Sequence, residues 1–123
     1  MTSETESARF IHFHGFDREW AKLGLSDEAL RLLQITLVAE PRLGTVVAGT
    51  GGLRKVRFAP PETGRGKSGA FRVGYVHLPQ LRTVLLVTVW GKNQKANISQ
   101  AERNALAKAI RAVEQVLEQR EDQ

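Results

Sequence analysis

The stretch FRVGYVHLPQLRTVLLVTVW, residues 71–90, decides how this chain folds. Its two parts, FRVGYVHL (71–78) and RTVLLVTVW (82–90), are rich in the β-branched and aromatic residues that suit a pleated surface. The link between them contains a proline and has a length that allows antiparallel neighbours. The second part is apolar on both faces, the composition of a central strand. LRKVRF (53–58) has the same strand character upstream, so three consecutive strands form an antiparallel meander. Outward from these strands, RFIHF (9–13) reads as a further short strand and FDREWAKL (16–23) as a brief helix. Ser26 is a capping residue, Asp27 and Glu28 put negative charge at the positive end of a helix dipole, and Leu30, Leu33, Leu37 and Val38 recur at helical spacing until Pro41 stops the run. PRLGTVVAGTGG (41–52) is a glycine-rich loop or bent edge. SQAE (99–102) has the form of a capping box, with Leu106, Ile110, Val113 and Leu117 as an apolar stripe behind it. The expected fold is α+β on two layers: a small antiparallel sheet with two N-terminal helices and one C-terminal helix packed on it. Residues 1–8 are expected to be a disordered tail and 9–120 a single domain.

A chain of 123 residues suffices for one ordinary core without staples. The absence of cysteine excludes a disulfide framework, a thiolate zinc site and a cysteine nucleophile, and agrees with a reducing compartment. The longest apolar run, TVLLVTV, is strand-sized and far from a membrane span. The opening MTSETESAR is polar and acidic, unlike a secretory signal, so the expected location is cytoplasmic, with no membrane partner.

The net charge of +5 is unevenly distributed. From Arg54 to Lys95 there are nine basic residues and one acid, Glu62, whereas the remainder of the chain is mildly anionic. Cations so short of local partners are a signature of polyanion binding, because attraction to phosphates depends on clusters rather than totals. Strand alternation sends Lys55 and Arg57 to one face and Arg54, Val56 and Phe58 to the other. Arg72 opens the next strand, where hairpin pairing brings it near Lys55 or Arg57, and Lys92 and Asn93 stand where the central strand ends. Folding is expected to gather these positions around one concave site, with glycines nearby that admit phosphates to the backbone.

Other chemistries find little support. GRGKSG (64–69) ends like a phosphate-binding P-loop, but Pro61 occupies the place of the first glycine and a strand, not a helix, follows. A nucleotide-hydrolysing enzyme fails on the same two points. His12 and His14 fall on one face of the first strand with no carboxylate in view, and with His77 they make no recognisable metal-ligand set. No metal and no cofactor is expected. Ser68 has no triad partners and suits phosphate contact. Trp20 and Trp90 read as core anchors, and Tyr75 is open between core and site.

Taken in order, LSDEALRLLQ, GTVVAGTGGLRKVRF, GRGKSGAFRVGYV, LLVTVWGKN and NISQAERNALAKAI resemble the RelE superfamily of bacterial toxins, and within it the HigB-like toxins of type II toxin-antitoxin modules, over residues 9–112. The resemblance implies a RelE-like fold and a metal-independent endoribonuclease that cuts mRNA on the translating ribosome. It also implies a cognate antitoxin, commonly a helix-turn-helix protein. Position by position, the family's catalytic basic residues correspond to Lys55, Arg57, Arg72 and Lys92. Arg54, Arg65, Lys67, Ser68, Asn93 and Lys95 are the expected RNA contacts. Asn93 stands where many relatives carry arginine, and the only tyrosine is Tyr75, whereas some relatives use one near the C-terminal helix. Those departures favour the alternative of a basic RNA- or ribosome-binding module that does not cut, such as a decayed toxin.

Overall fold

Burial on both faces of the central strands sets the architecture. The computed structural model describes residues 2–4, 8–61, 70–91, 94–95 and 97–121. In chain order the elements are strands β1 (Thr2–Glu4) and β2 (Arg9–His12), helices α1 (His14–Lys22) and α2 (Asp27–Ala39), strands β3 (Thr45–Val46), β4 (Arg54–Phe58), β5 (Phe71–Leu78) and β6 (Thr83–Gly91), and helix α3 (Gln100–Glu121). The strands form one sheet in the order β1-β2-β6-β5-β4-β3.

The meander of β4, β5 and β6 is antiparallel, as expected. β2 differs: it joins the free side of β6 in parallel, with Phe10 opposite Val84, so the sheet is mixed. A parallel neighbour is possible here because α1, α2 and the meander lie between the two strands in sequence, a connection long enough to cross over. Thr2–Glu4, within the segment expected to be a tail, pairs antiparallel with β2 through its backbone. The glycine-rich segment is a bent edge, with β3 pairing to β4.

Helices cover both faces of the sheet, not one. Phe16 and Trp20 of α1 and Leu33 and Leu37 of α2 pack with Phe58, Phe71, Val73 and Tyr75 on one side. Ile110 and Leu117 of α3 pack with Leu53, Val76, Leu85 and Trp90 on the other. The two-layer expectation becomes three layers because β6 is apolar on both faces and each face must be covered. Trp20 stacks between Phe16 and Phe58, with ring centroids 5.4 and 6.1 Å away, and its indole N–H donates to Ser26 O.

The helix ends obey the sequence signals. Ser26 Oγ accepts from Ala29 N–H at 3.0 Å to start α2. At α3, Ser99 Oγ accepts from Glu102 N–H and Glu102 Oε1 accepts from Ser99 N–H, a reciprocal capping box. β2 ends one residue earlier than expected, so His14 opens α1 at the surface and does not share a strand face with His12. His12 is buried, and its Nδ1 lies 2.9 Å from Asp17 Oδ1. That carboxylate went unrecognised in the sequence because only the turn into α1 brings it back onto the strand.

One irregularity bears on the site. Gly74 faces Thr88 while Tyr75 faces Leu86, so Val87 is an extra residue on β6, a β-bulge.

Candidate functional site

The site follows from register. Residues directly opposite in an antiparallel ladder share a face. Arg57 on β4 is opposite Arg72 on β5, Arg72 is opposite Trp90 on β6, and Lys55 is opposite Gly74. Lys55, Arg57 and Arg72 therefore occupy one face, the α3 side, towards the end of the sheet where β5 begins and β6 finishes. They line a cleft of about 810 Å³ together with Thr45 and Leu43 from the β3 edge and Ala59 and Ala70 from the strand ends.

Few acceptors hold these cations. Lys55 Nζ donates to Asn97 Oδ1 at 3.4 Å, and Arg72 Nη1 donates to Ala70 O at 2.6 Å. Lys55 and Arg72 are half-buried and Arg57 is exposed. None of the ion pairs among the described residues includes any of the three. Like charges facing each other across a ladder repel, and half-burial weakens the screening that water would supply. An anionic group bound between them would relieve that repulsion.

The other expected RNA contacts separate. Arg54 points to the opposite face, where its Nη1 donates to Gly44 O at 2.8 Å and to Arg42 O at 3.5 Å, tying down the turn into β3. Lys95 lies over the Trp90 ring, 4.9 Å from its centroid, and is ion-paired to Glu102, so the capping-box carboxylate also neutralises a cation at the margin of the site. Lys92, Arg65, Lys67, Ser68 and Asn93 lie outside the described residues.

Tyr75 belongs to the core. Its hydroxyl donates to Pro41 O at 2.7 Å and accepts from Gly44 N–H at 2.9 Å, and burial raises its pKa above the ordinary tyrosine value, with the Gly44 bond and the Arg54 charge opposing. Trp90, 2 % exposed, is a core residue that borders the site, opposite Arg72 in the ladder and with Lys95 over its ring. His77 lies on the opposite face from the cleft, and no imidazole or carboxylate is among the described residues lining the cleft. Among the described residues, no group of three or more histidine, aspartate or glutamate side chains is placed to hold a metal ion.

Sequence reasoning missed Asn97, Thr45 and Leu43. Thr45 and Leu43 reach the cleft only because β3 pairs with β4, setting Thr45 opposite Lys55. Asn97 is brought in by the approach to α3, where its Oδ1 also accepts from Ile98 N–H; no pattern in the chain marks it.

No known protein-family model matches the chain. Among solved structures, it is similar to a mutant of the E. coli toxin RelE in the free state, with a TM-score of 0.48 and 15% sequence identity, over 71% of this chain and 85% of that one.

Proposed function

We propose that this protein is a RelE-type toxin of the HigB group, an endoribonuclease that inhibits translation by cutting mRNA on the ribosome. The observation that carries the reading is the Arg57–Arg72 cross-strand pair with Lys55 beside it, three cations on one concave face without a carboxylate among the described lining residues. The sequence resemblance to RelE and HigB-like toxins supports the same reading.

Cutting RNA with its own 2′-hydroxyl asks little of a protein. The hydroxyl oxygen attacks the adjacent phosphorus, the bond to the 5′ oxygen breaks, the hydroxyl proton is taken up and a proton reaches the leaving oxygen. The protein holds the strand in line and stabilises the charge that grows on the phosphoryl oxygens. Arg72, forked and permanently charged, clamps the phosphate. Arg57 and Lys92 stabilise the transition state, and Lys55 assists proton transfer. The partners are mRNA, the ribosome and a cognate helix-turn-helix antitoxin, and the site of action is the cytoplasm.

The test is brief induction followed by sequencing of transcript ends, with wild type, Arg72→Ala and Lys55→Ala compared. Broken messages with in-frame periodicity are expected from wild type, with the variants reduced on the order of a hundredfold, the scale for removing one transition-state contact. Undiminished cutting by both variants removes the assignment. The second reading, a module that binds RNA or the ribosome without cleaving, is favoured by the lack of an imidazole or carboxylate in the described lining. Harmless expression together with salt-sensitive RNA binding would select it.

A further inference from the structure

Leu43 and Thr45 line the cleft from the β3 edge, and both are exposed. Leu43 keeps 46 % of its surface in water, whereas Val47 and Leu53 nearby are buried. An exposed leucine is ordinary by itself. This one stands on backbone held from several sides. Leu43 N–H donates to Glu40 O at 3.1 Å. Gly44 N–H donates to the buried Tyr75 hydroxyl at 2.9 Å, and Gly44 O accepts from Arg54 Nη1 at 2.8 Å. A Cβ on Gly44 would stand 2.9 Å from Tyr75 Cε1 and 3.0 Å from Lys55 O, so the segment packs closely against the sheet. None of these bonds uses the side chain of Leu43 or Thr45, which leaves both to the cleft.

The cleft has two chemistries side by side. Arg57 and Arg72 face each other across one ladder, and Lys55 faces Thr45 across the next. Leu43, Val56, Ala59 and Ala70 give the same volume of about 810 Å³ an apolar lining. A simple anion would use the cations and leave the apolar lining wet. A ligand that uses both carries a phosphate and a flat apolar body with a polar edge, which is the chemistry of a nucleotide. From Thr45 to Arg57 is one strand spacing across and two residues along, roughly 8 Å, within the reach of a nucleotide from its phosphate to its base. No aromatic ring is among the described lining residues, so aliphatic surface takes the part of a stacking platform.

We infer that Leu43 and Thr45 form a nucleobase subsite, in which an unpaired base of the RNA lies against the Leu43 side chain with its polar edge on the Thr45 hydroxyl, while Arg72 clamps the adjoining phosphate. This rests on the proposed function and adds to it a source of base preference at the cut. Bases of single-stranded RNA can be splayed out and read on their edges. A threonine hydroxyl both donates and accepts, so its surroundings decide which base edge it favours. A wall fixed before binding gives up little freedom when it grips the base. Leu43 and Thr45 are thus specificity residues and take no part in breaking the bond.

The experiment induces the full chain briefly, as wild type, Thr45→Val, Thr45→Ser, Leu43→Ala and Arg72→Ala, and sequences transcript ends, so that base frequencies beside the cut are read together with total cutting. Thermal melts of the purified variants check folding, and exposed positions are expected to change it little. Wild type is expected to prefer one base next to the cut. Thr45→Val keeps the shape without the hydroxyl and is expected to reduce that preference several-fold by losing cuts at the favoured base, whereas Thr45→Ser keeps the preference. Leu43→Ala is expected to cut several-fold less at every site, and Arg72→Ala to lose cutting whatever the base. A wild type that cuts without base preference overturns the subsite and leaves the proposed function intact, as does a preference unchanged in Thr45→Val and Leu43→Ala with cutting at the wild-type level. A uniform loss of cutting in Thr45→Val with the preference kept also overturns it, since the hydroxyl then only shapes the wall. A wild type that does not cut removes the proposed function and the subsite together.

Discussion

Arg57 and Arg72 face each other directly across the β4–β5 ladder, two guanidiniums on neighbouring strands of one half-covered face. The fold gains nothing from this juxtaposition. Relieving it by Arg57→Ala is therefore expected to leave the free protein as stable as wild type or more so, by up to about 0.5 kcal/mol. Sulfate or phosphate, compared with chloride at equal ionic strength, is expected to raise the melting temperature of wild type and to lose that effect in Arg57→Ala and Arg72→Ala. Thermal melts in the three salts read out both effects, and an anion response equal in all three proteins would show that these arginines do not bind it.

Gly74 allows three strands to close beside Lys55. A Cβ at this position would stand 2.7 Å from Thr88 Cγ2 and 3.2 Å from Leu53 Cδ1. Gly74→Ala is expected to destabilise the protein by about 1–3 kcal/mol through overpacking and to reduce activity, since Lys55 sits opposite in the ladder. Urea unfolding gives the first quantity; a loss of less than about half a kcal/mol would mean that Thr88 and Leu53 yield freely.

Tyr75 ties the sheet to the segment after α2. Tyr75→Phe keeps the ring but leaves the buried Gly44 N–H without its acceptor, a loss of about 1–3 kcal/mol. The folded-state pKa of Tyr75 is raised by burial, so the stability it contributes is present below the ordinary tyrosine value and is lost as pH rises through the folded one. Wild type should melt progressively lower in strong alkali, and the Tyr75→Phe curve should be flatter there. Parallel curves would refute the linkage.

Glu102 has two duties, capping α3 and holding Lys95. Its carboxyl is held below the ordinary glutamate value, first by the Lys95 hydrogen bond and then by Ser99 N–H. Its contribution is therefore present above the ordinary value and lost as pH falls through the lowered one. Glu102→Gln should flatten the acid limb of the melting profile. Releasing Lys95 should also steepen the salt dependence of RNA binding by somewhat less than one unit. An unchanged slope would mean that Lys95 stays on the Trp90 ring whether or not Glu102 holds it.

Elements whose signals are local were legible in the sequence. Ser99 and Glu102 mark the start of α3 because a capping box is complete within four residues, and Ser26 marks α2 in the same way. The β-branched run in β5 and β6 needed no tertiary information either. The site was legible in composition but not in arrangement. That Lys55 and Arg57 share a face follows from alternation alone, yet that Arg57 meets Arg72 is a matter of register, fixed by how Val56 and Val73 face each other in the ladder. Arg54 read as an RNA contact because its charge is visible in the sequence, whereas the carbonyl of Gly44 that accepts its hydrogen bond is not. The parallel β2–β6 pairing depends on distant parts of the chain and left no short-range mark.

The parallel seam between β2 and β6 brings Arg9 to Thr83, 74 positions further along the chain. Loop closure over such a span is slow compared with zipping the adjacent hairpins, so on contact-order grounds the N-terminal strand docks last. As the polypeptide leaves the ribosome, β2 emerges early and waits until β6 has been synthesised. Meanwhile β6 presents an apolar, unpaired border able to recruit a stray strand. The final docking of Arg9–His12 thus covers that border of β6, and truncating that segment should yield aggregates rather than a smaller working domain.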